Sequence, residues 1–206
     1  MPRPNDAFCH LPQLRERIAP AEASSLRVTP QTLALWDERA RLQGRGADWR
    51  LSDAQLQATQ MALLGDGSDG QDLWIFGYGS LTWDPGFHFS EVRLAVLPAH
   101  RRRFSCRTVL GRGSPECPGL MLTLEPGEGD CHGLAFRIDA THAAHECGMV
   151  WRREMIRAIY RPCLLPVHTP QGEVDALVFA ANTEHADHVG KLTLDEAADI
   201  IARAEG

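Results

Sequence analysis

The 206-residue chain has no apolar run approaching the roughly 18 residues that a membrane-spanning helix requires. Its first residues, MPRPNDAFCHLPQL, lack the apolar h-region of a secretory signal. These absences lead to the expectation of a soluble, cytoplasmic protein with no membrane partner. No C-x-x-C pair occurs among the six cysteines at 9, 106, 117, 131, 147 and 163. A long chain without an export signal or a tight cysteine framework is expected to carry free thiols. No G-K-[ST] follows a glycine turn, so there is no Walker loop, and no third glycine completes a dinucleotide fingerprint. H-E-x-x-H and the G-x-S-x-G elbow are also missing. No internal repeat is visible. Lysine is nearly absent: Lys191 is the single one, and arginine supplies the other 20 basic side chains.

What is present is ordinary in bulk. With 44% hydrophobic and 23% charged residues, the chain can bury one real core or two small ones. The net charge of −6 matters less than its placement. Residues 92–115 carry six arginines (93, 101, 102, 103, 107 and 112) and no acid, whereas residues 173–206 carry eight acids against Lys191 and Arg203. An acidic protein with one basic stretch is a poor general nucleic-acid binder, so no nucleic-acid partner is expected. The stretch suits a small anionic substrate.

Residues 1–28, with prolines at 2, 4, 12 and 20, read as an extended arm or a loosely docked segment. Thr29 before Pro30 is an N-cap followed by proline at the first helical position. That helix runs to about Gln43, with Leu33, Trp36 and Ala40 on one face, and stops at Gly44-Arg45-Gly46. Ser52 and Gln55 form a capping box for a second helix carrying Leu56, Met61, Leu63 and Leu64. Residues 65–70 read as a flexible connector, so 1–70 is expected as a mainly helical N-terminal extension. From Asp72 the pattern changes. Strands are predicted at 73–76, 91–97, 103–109, 120–124, 131–138, 156–167 and 174–180. One helix, capped by Asp139 or Thr141, interrupts them and runs through Glu154. A second capping box, Thr193 with Glu196, opens an acidic amphipathic helix through Ala204. Seven short strands with few helices between them predict an α+β fold with a mostly antiparallel, closed or nearly closed sheet.

Several features could carry chemistry. Gly77-Tyr78-Gly79-Ser80-Leu81 reads either as a glycine turn between strands or as a nest of unpaired backbone N–H groups for a carboxylate or oxyanion. Residues 112–119, with two prolines and two further glycines, read either as a long hairpin connection or as a rigid wall over a pocket. Glu154 ends the run Trp151-Arg152-Arg153-Glu154, where a helix hands over to a strand. A carboxylate there opposes the helix dipole. If it points among Trp151, Met155 and Ile156, burial raises its pKa toward that of a general base and acid; otherwise it is a solvated partner of an arginine. His142, His145 and Cys147, His185 and His188, and Cys131-His132 are the metal alternatives. None is accompanied by a paired ligand motif, so no metal site is expected. No cysteine can be paired with a base from sequence.

Four strings occur in one order: Trp74-Ile75-Phe76-Gly77-Tyr78-Gly79-Ser80-Leu81-Thr82-Trp83, His100-Arg101-Arg102-Arg103-Phe104, residues 112–119, and Trp151-Arg152-Arg153-Glu154. Together they resemble the ChaC family of γ-glutamylcyclotransferases over about residues 72–206. The resemblance implies a small β-barrel domain at 71–206. It implies cleavage of glutathione's γ-glutamyl bond to 5-oxoproline and cysteinylglycine, with no metal or organic cofactor. It assigns Glu154 the catalytic acid/base role and Tyr78, Gly79, Ser80 and Leu81 the substrate loop. The chemistry agrees: the substrate's own α-amine attacks its γ-amide carbonyl, so no protein nucleophile is needed, and proximity supplies much of the rate. Arg107 or Arg112 is the expected contact for the glycine carboxylate, on charge alone. Family members usually continue beyond the last helix, with a Gly/Asn-containing turn and a tyrosine; this sequence stops at Gly206. The rivals are a cyclotransferase for other γ-glutamyl amides, a non-catalytic γ-glutamyl-peptide binding module and, more distantly, a metal hydrolase.

Overall fold

The computed structural model describes residues 6–65, 70–109 and 111–205. Pro2, Pro4 and most of the 65–70 connector lie outside those residues. Four α-helices and five strands make up the regular structure: α1 (Pro30–Leu42), α2 (Asp53–Leu64), β1 (Leu73–Gly77), β2 (Glu91–Thr108), β3 (Gly119–Ile138), α3 (Ala140–Glu154), β4 (Tyr160–Thr169), β5 (Gly172–Ala181) and α4 (Leu194–Arg203).

The strands close into a barrel in the order β1-β3-β2-β4-β5. Every pairing is antiparallel except β1 with β5, where Trp74 meets Ala176 and Ile75 meets Leu177. The seven expected strands are five because two pairs are continuous. Residues 91–97 and 103–109 belong to β2, and 120–124 and 131–138 belong to β3. Proline and glycine in the gaps bend these strands without ending them. The β2–β3 register slips between Pro98 and His100 and again between Phe104 and Cys106, and Ala99 takes a positive φ of 54°. Such bulges let a long hairpin coil around a barrel. β4 begins four residues later than expected, since α3 closes through a turn with Ala158 at φ 55°.

Alternation along the strands builds two cores. Phe76, Ala135, Ala176 and Val178 face the barrel interior with Leu97, Leu124 and Val167. Their neighbours Ile75, Phe136, Leu177 and Phe179 face outward and meet Val150, Trp151 and Met155 of α3. The N-terminal segment joins that outer cluster through Leu11, Ile18, Val28, Leu33 and Leu56. Val28 is fully buried and Leu11 is 5% exposed, so the segment read as an extended arm or a loosely docked one is firmly docked. The caps of α1, α2 and α4 form as predicted: Thr29 accepts from Thr32 N–H, and both capping boxes close. Among the described residues, no helix is long and apolar enough to cross a membrane.

Candidate active site

Strand β1 runs into the Gly77-Tyr78-Gly79-Ser80 loop at a glycine whose position has little room for a side chain. A Cβ on Gly77 would stand 3.1 Å from the Leu81 Cβ and 3.2 Å from the Phe136 ring. Beyond it, the buried Tyr78 joins the interior core and donates its hydroxyl to the Phe179 carbonyl at 2.8 Å. A short 3-10 turn follows at Ser80–Thr82. The amides of Thr82, Trp83 and Asp84 are satisfied by the carbonyls of Gly79 and Ser80. Those of Gly79, Ser80 and Leu81 donate to no backbone carbonyl among the described residues. A Cβ on Gly79 would meet nothing within 4 Å, so the loop is not packed over at that position. Amides left unpaired in this way are of the kind that can receive a carboxylate or oxyanion.

Glu154 is the last residue of α3, and the helix lays it against this loop. Burial pushes its carboxyl above the ordinary glutamate range, with the Arg153 guanidinium opposing. Arg153 Nε lies 3.0 Å from Glu154 Oε1, and the two side chains are 8% and 12% exposed. The same guanidinium donates to Ser80 Oγ at 2.8 Å and to the carbonyls of Asp84 and Pro85 at 2.6 and 3.2 Å. One fork therefore ties the end of α3 to the loop after β1. Two phenols complete the surroundings. Burial holds both Tyr78 and Tyr160 well above their ordinary pKa, and the Glu154 charge raises each further. Both stay protonated at neutral pH.

The structure brings Tyr78, Gly79, Ser80, Leu81 and Glu154 to one place; Leu81 is buried beneath the loop. It does not bring Arg107 or Arg112 there. Both are exposed, and among the described residues no hydrogen bond or ion pair engages either guanidinium. Sequence reasoning passed over Arg153, Tyr160 and Arg102. Arg102 donates to the Tyr78 carbonyl at 3.2 Å and is the arginine of the basic stretch that reaches the loop. Arg153 was legible as the neighbour of Glu154, but helical spacing does not tell which of two adjacent arginines turns inward. Tyr160 carried no local signal.

Among the described residues, no three His, Cys, Asp or Glu side chains converge as a metal site. His185 is bonded to the Arg157 carbonyl and His188 to Glu125. Burial pushes the Cys106 thiol up to about 11 and that of Cys147 up to about 12, far from the thiolate a nucleophile needs.

A closed barrel that holds a shielded carboxyl of raised pKa near a loop of unpaired amides is suited to acid–base chemistry on a small molecule. Residues 73–206 match the model of the ChaC-like protein family, so the chain belongs to that family. It is 35% identical over 156 residues to the glutathione-specific γ-glutamylcyclotransferase of Escherichia coli K12, covering 75% of this chain and 67% of that one. A glutathione-specific γ-glutamylcyclotransferase of Danio rerio is 32% identical over 138 residues, covering 65% of this chain and 70% of its own. The crystal structure of a yeast γ-glutamyl cyclotransferase specific to glutathione superposes with a TM-score of 0.60 at 22% identity, over 66% of this chain and 80% of that one. That likeness bears on the fold.

Proposed function

We propose that the protein is a γ-glutamylcyclotransferase that cleaves glutathione into 5-oxoproline and cysteinylglycine. The observation that carries the reading is the Glu154 carboxyl, buried beside the Tyr78-Gly79-Ser80-Leu81 loop and held there by Arg153. The amides of Gly79, Ser80 and Leu81 receive the γ-glutamyl α-carboxylate or the developing oxyanion. The α-nitrogen attacks the γ-carbonyl carbon, a five-membered ring closes, and the bond to the cysteine nitrogen breaks. Glu154 takes the ammonium proton that frees the α-amine and passes it to the departing cysteine nitrogen; the second proton, shed as the ring nitrogen becomes an amide, goes the same way, so cysteinylglycine leaves as an ammonium. Atoms balance without water or a cofactor. Arg102, which reaches the loop through the Tyr78 carbonyl, supplies positive charge for the glycine carboxylate. A glutathione substrate suits a reducing compartment such as the cytoplasm, and six free cysteines are in keeping with that.

A raised pKa suits Glu154 to this task, because a stronger base takes the ammonium proton more readily. It also fixes a sign. Glu154 must be ionised to start the reaction, so kcat falls as pH drops through a value above the ordinary 4.5 of a glutamate. The deciding experiment is 5-oxoproline release from reduced glutathione by wild type and Glu154→Gln. A loss of about 10²-fold or more is expected, the scale of general acid–base catalysis. Equal rates would remove Glu154 from the mechanism. Turnover of other γ-glutamyl amides in preference to glutathione would move the substrate assignment.

A further inference from the structure

The residues that fix Arg153 do not end at the family-matched region. The 83–86 loop, whose Asp84 and Pro85 carbonyls receive the Arg153 guanidinium, is gripped on its other side by residues 19–27 of the N-terminal arm. Ala19 N–H donates to the Trp83 carbonyl at 2.8 Å. Ser24 Oγ donates to Asp84 Oδ1 at 2.5 Å. Arg27 donates to the Gly86 carbonyl at 3.1 Å. Gly86 has a φ of +71°, and a Cβ on it would stand 3.0 Å from the Leu26 carbonyl, so arm and loop approach backbone to backbone. Arg27 also forks onto Glu146 of α3 at 2.6 and 2.8 Å, two helical turns before Glu154. Arm, loop and helix thus form one closed circuit around Arg153.

We propose that Ser24 and Arg27 are positioning residues for the cyclisation: by holding the 83–86 loop, they set where Arg153 places the Ser80 hydroxyl and the Glu154 carboxylate. Neither touches substrate. Both act through Arg153, whose fork spends two of its contacts on the loop the arm holds. The inference rests on Glu154 acting as the acid/base. Groups facing Glu154 are Arg153 from its own helix, Tyr78 from the loop after β1 and Tyr160 from β4. Of these, Arg153 alone favours the ionised carboxyl. A loop released from the arm loosens Arg153, so the Glu154 carboxyl moves further up.

The test uses the full chain as wild type, Ser24→Ala, Ser24→Thr, Arg27→Lys and Glu154→Gln, with initial rates across glutathione concentration and pH, and thermal unfolding of each. Ser24→Ala and Arg27→Lys are expected to lower kcat by about 5- to 100-fold, the range that a small misplacement of reacting groups costs. KM should change less than kcat, and the acid limb of the kcat profile should move to higher pH. Ser24→Thr, which keeps the hydroxyl, should restore both. A fall in activity that only follows the folded fraction, with the acid limb unmoved, would overturn the proposal. So would wild-type kcat in Ser24→Ala and Arg27→Lys together. If instead Glu154→Gln is as active as wild type, the acid–base reading fails on its own variant. The Ser24 pair then still decides, through kcat and its rescue by threonine, whether the arm positions the loop.

Discussion

At the scale of single residues, Glu154 carries a conflict that stability measurements can expose. A carboxyl at a helix C-terminus, largely shielded from water, is disfavoured when ionised by both the dipole and desolvation. Arg153 offsets part of this, and the net shift is still upward. A folded-state pKa above the unfolded one means that the folded protein holds the proton more tightly. The stabilising contribution is therefore complete below the unfolded pKa and lost as pH rises through the folded pKa. Glu154→Gln removes this titration while keeping the shape. The variant should unfold at least as hot as wild type near pH 7.5, and its advantage should shrink on acidification toward pH 4.5, the ordinary glutamate value. Paired melting curves across that range check it. A variant less stable than wild type at pH 7.5 would mean that the Arg153 pairing outweighs burial. The catalytic prediction and this one point in opposite directions, as expected where a site is arranged for reaction rather than stability.

At the scale of elements, α3 is the beam between the arm and the site. Its Glu146 is buried, accepts two bonds from Arg27 and one from His88 N–H, and is pulled below the ordinary carboxyl range by them against the effect of burial. Removing one partner of such a pair strands a charge. Arg27→Met is expected to cost about 3–5 kcal/mol in urea unfolding at pH 7, whereas Arg27→Met with Glu146→Leu should recover much of it. The sign with pH is opposite to that of Glu154. The wild-type pairing contributes fully above pH 4.5 and is lost as pH falls through the depressed pKa of Glu146, so the gap between wild type and Arg27→Met narrows in acid. An unchanged gap would assign the stability to packing instead. These elements were unequally legible. The helices announced themselves through local chemistry, in Thr29-Pro30, Ser52 with Gln55, and Thr193 with Glu196, because caps act within four residues. The continuity of β2 and β3 did not, since Pro98 and Gly127 look like strand ends when their partners across the hairpin are unknown. Arg27 with Glu146 was invisible for the same reason: 119 residues separate them.

At the scale of the whole molecule, the question is whether the barrel stands without the segment that precedes it. Sequence marked a change of character at Asp72, and the family match begins at residue 73. The packing runs across that line. Leu11, Ile18, Val28, Leu33 and Leu56 are each at most 5% exposed and share one cluster with Phe87, Phe136, Val150 and Trp151. Polar ties accompany them: Trp151 Nε1 donates to Thr59 Oγ1 at 3.0 Å, and Leu51 N–H donates to the Ile156 carbonyl at 2.9 Å. Burying such side chains contributes roughly 2 kcal/mol each, or about 10 kcal/mol for the five. That is an upper, gross figure, because an unfolded chain already hides some of this surface and ordering the arm costs entropy, yet its loss is large beside a net domain stability of about 5–15 kcal/mol. The glycine loop and Glu154 could be picked out of the sequence because their chemistry sits in short strings. The cover over α3 could not, because an apolar residue in an irregular arm looks the same whether it is docked or free. Residues 71–206 expressed alone are therefore expected to lose cooperative unfolding and to bind a hydrophobic dye, with no 5-oxoproline release. Adding residues 1–70 back on the same chain should restore all three properties. A soluble 71–206 fragment that melts cooperatively within a few degrees of the full chain would show that the barrel carries its own stability, and would leave the arm its positioning role alone.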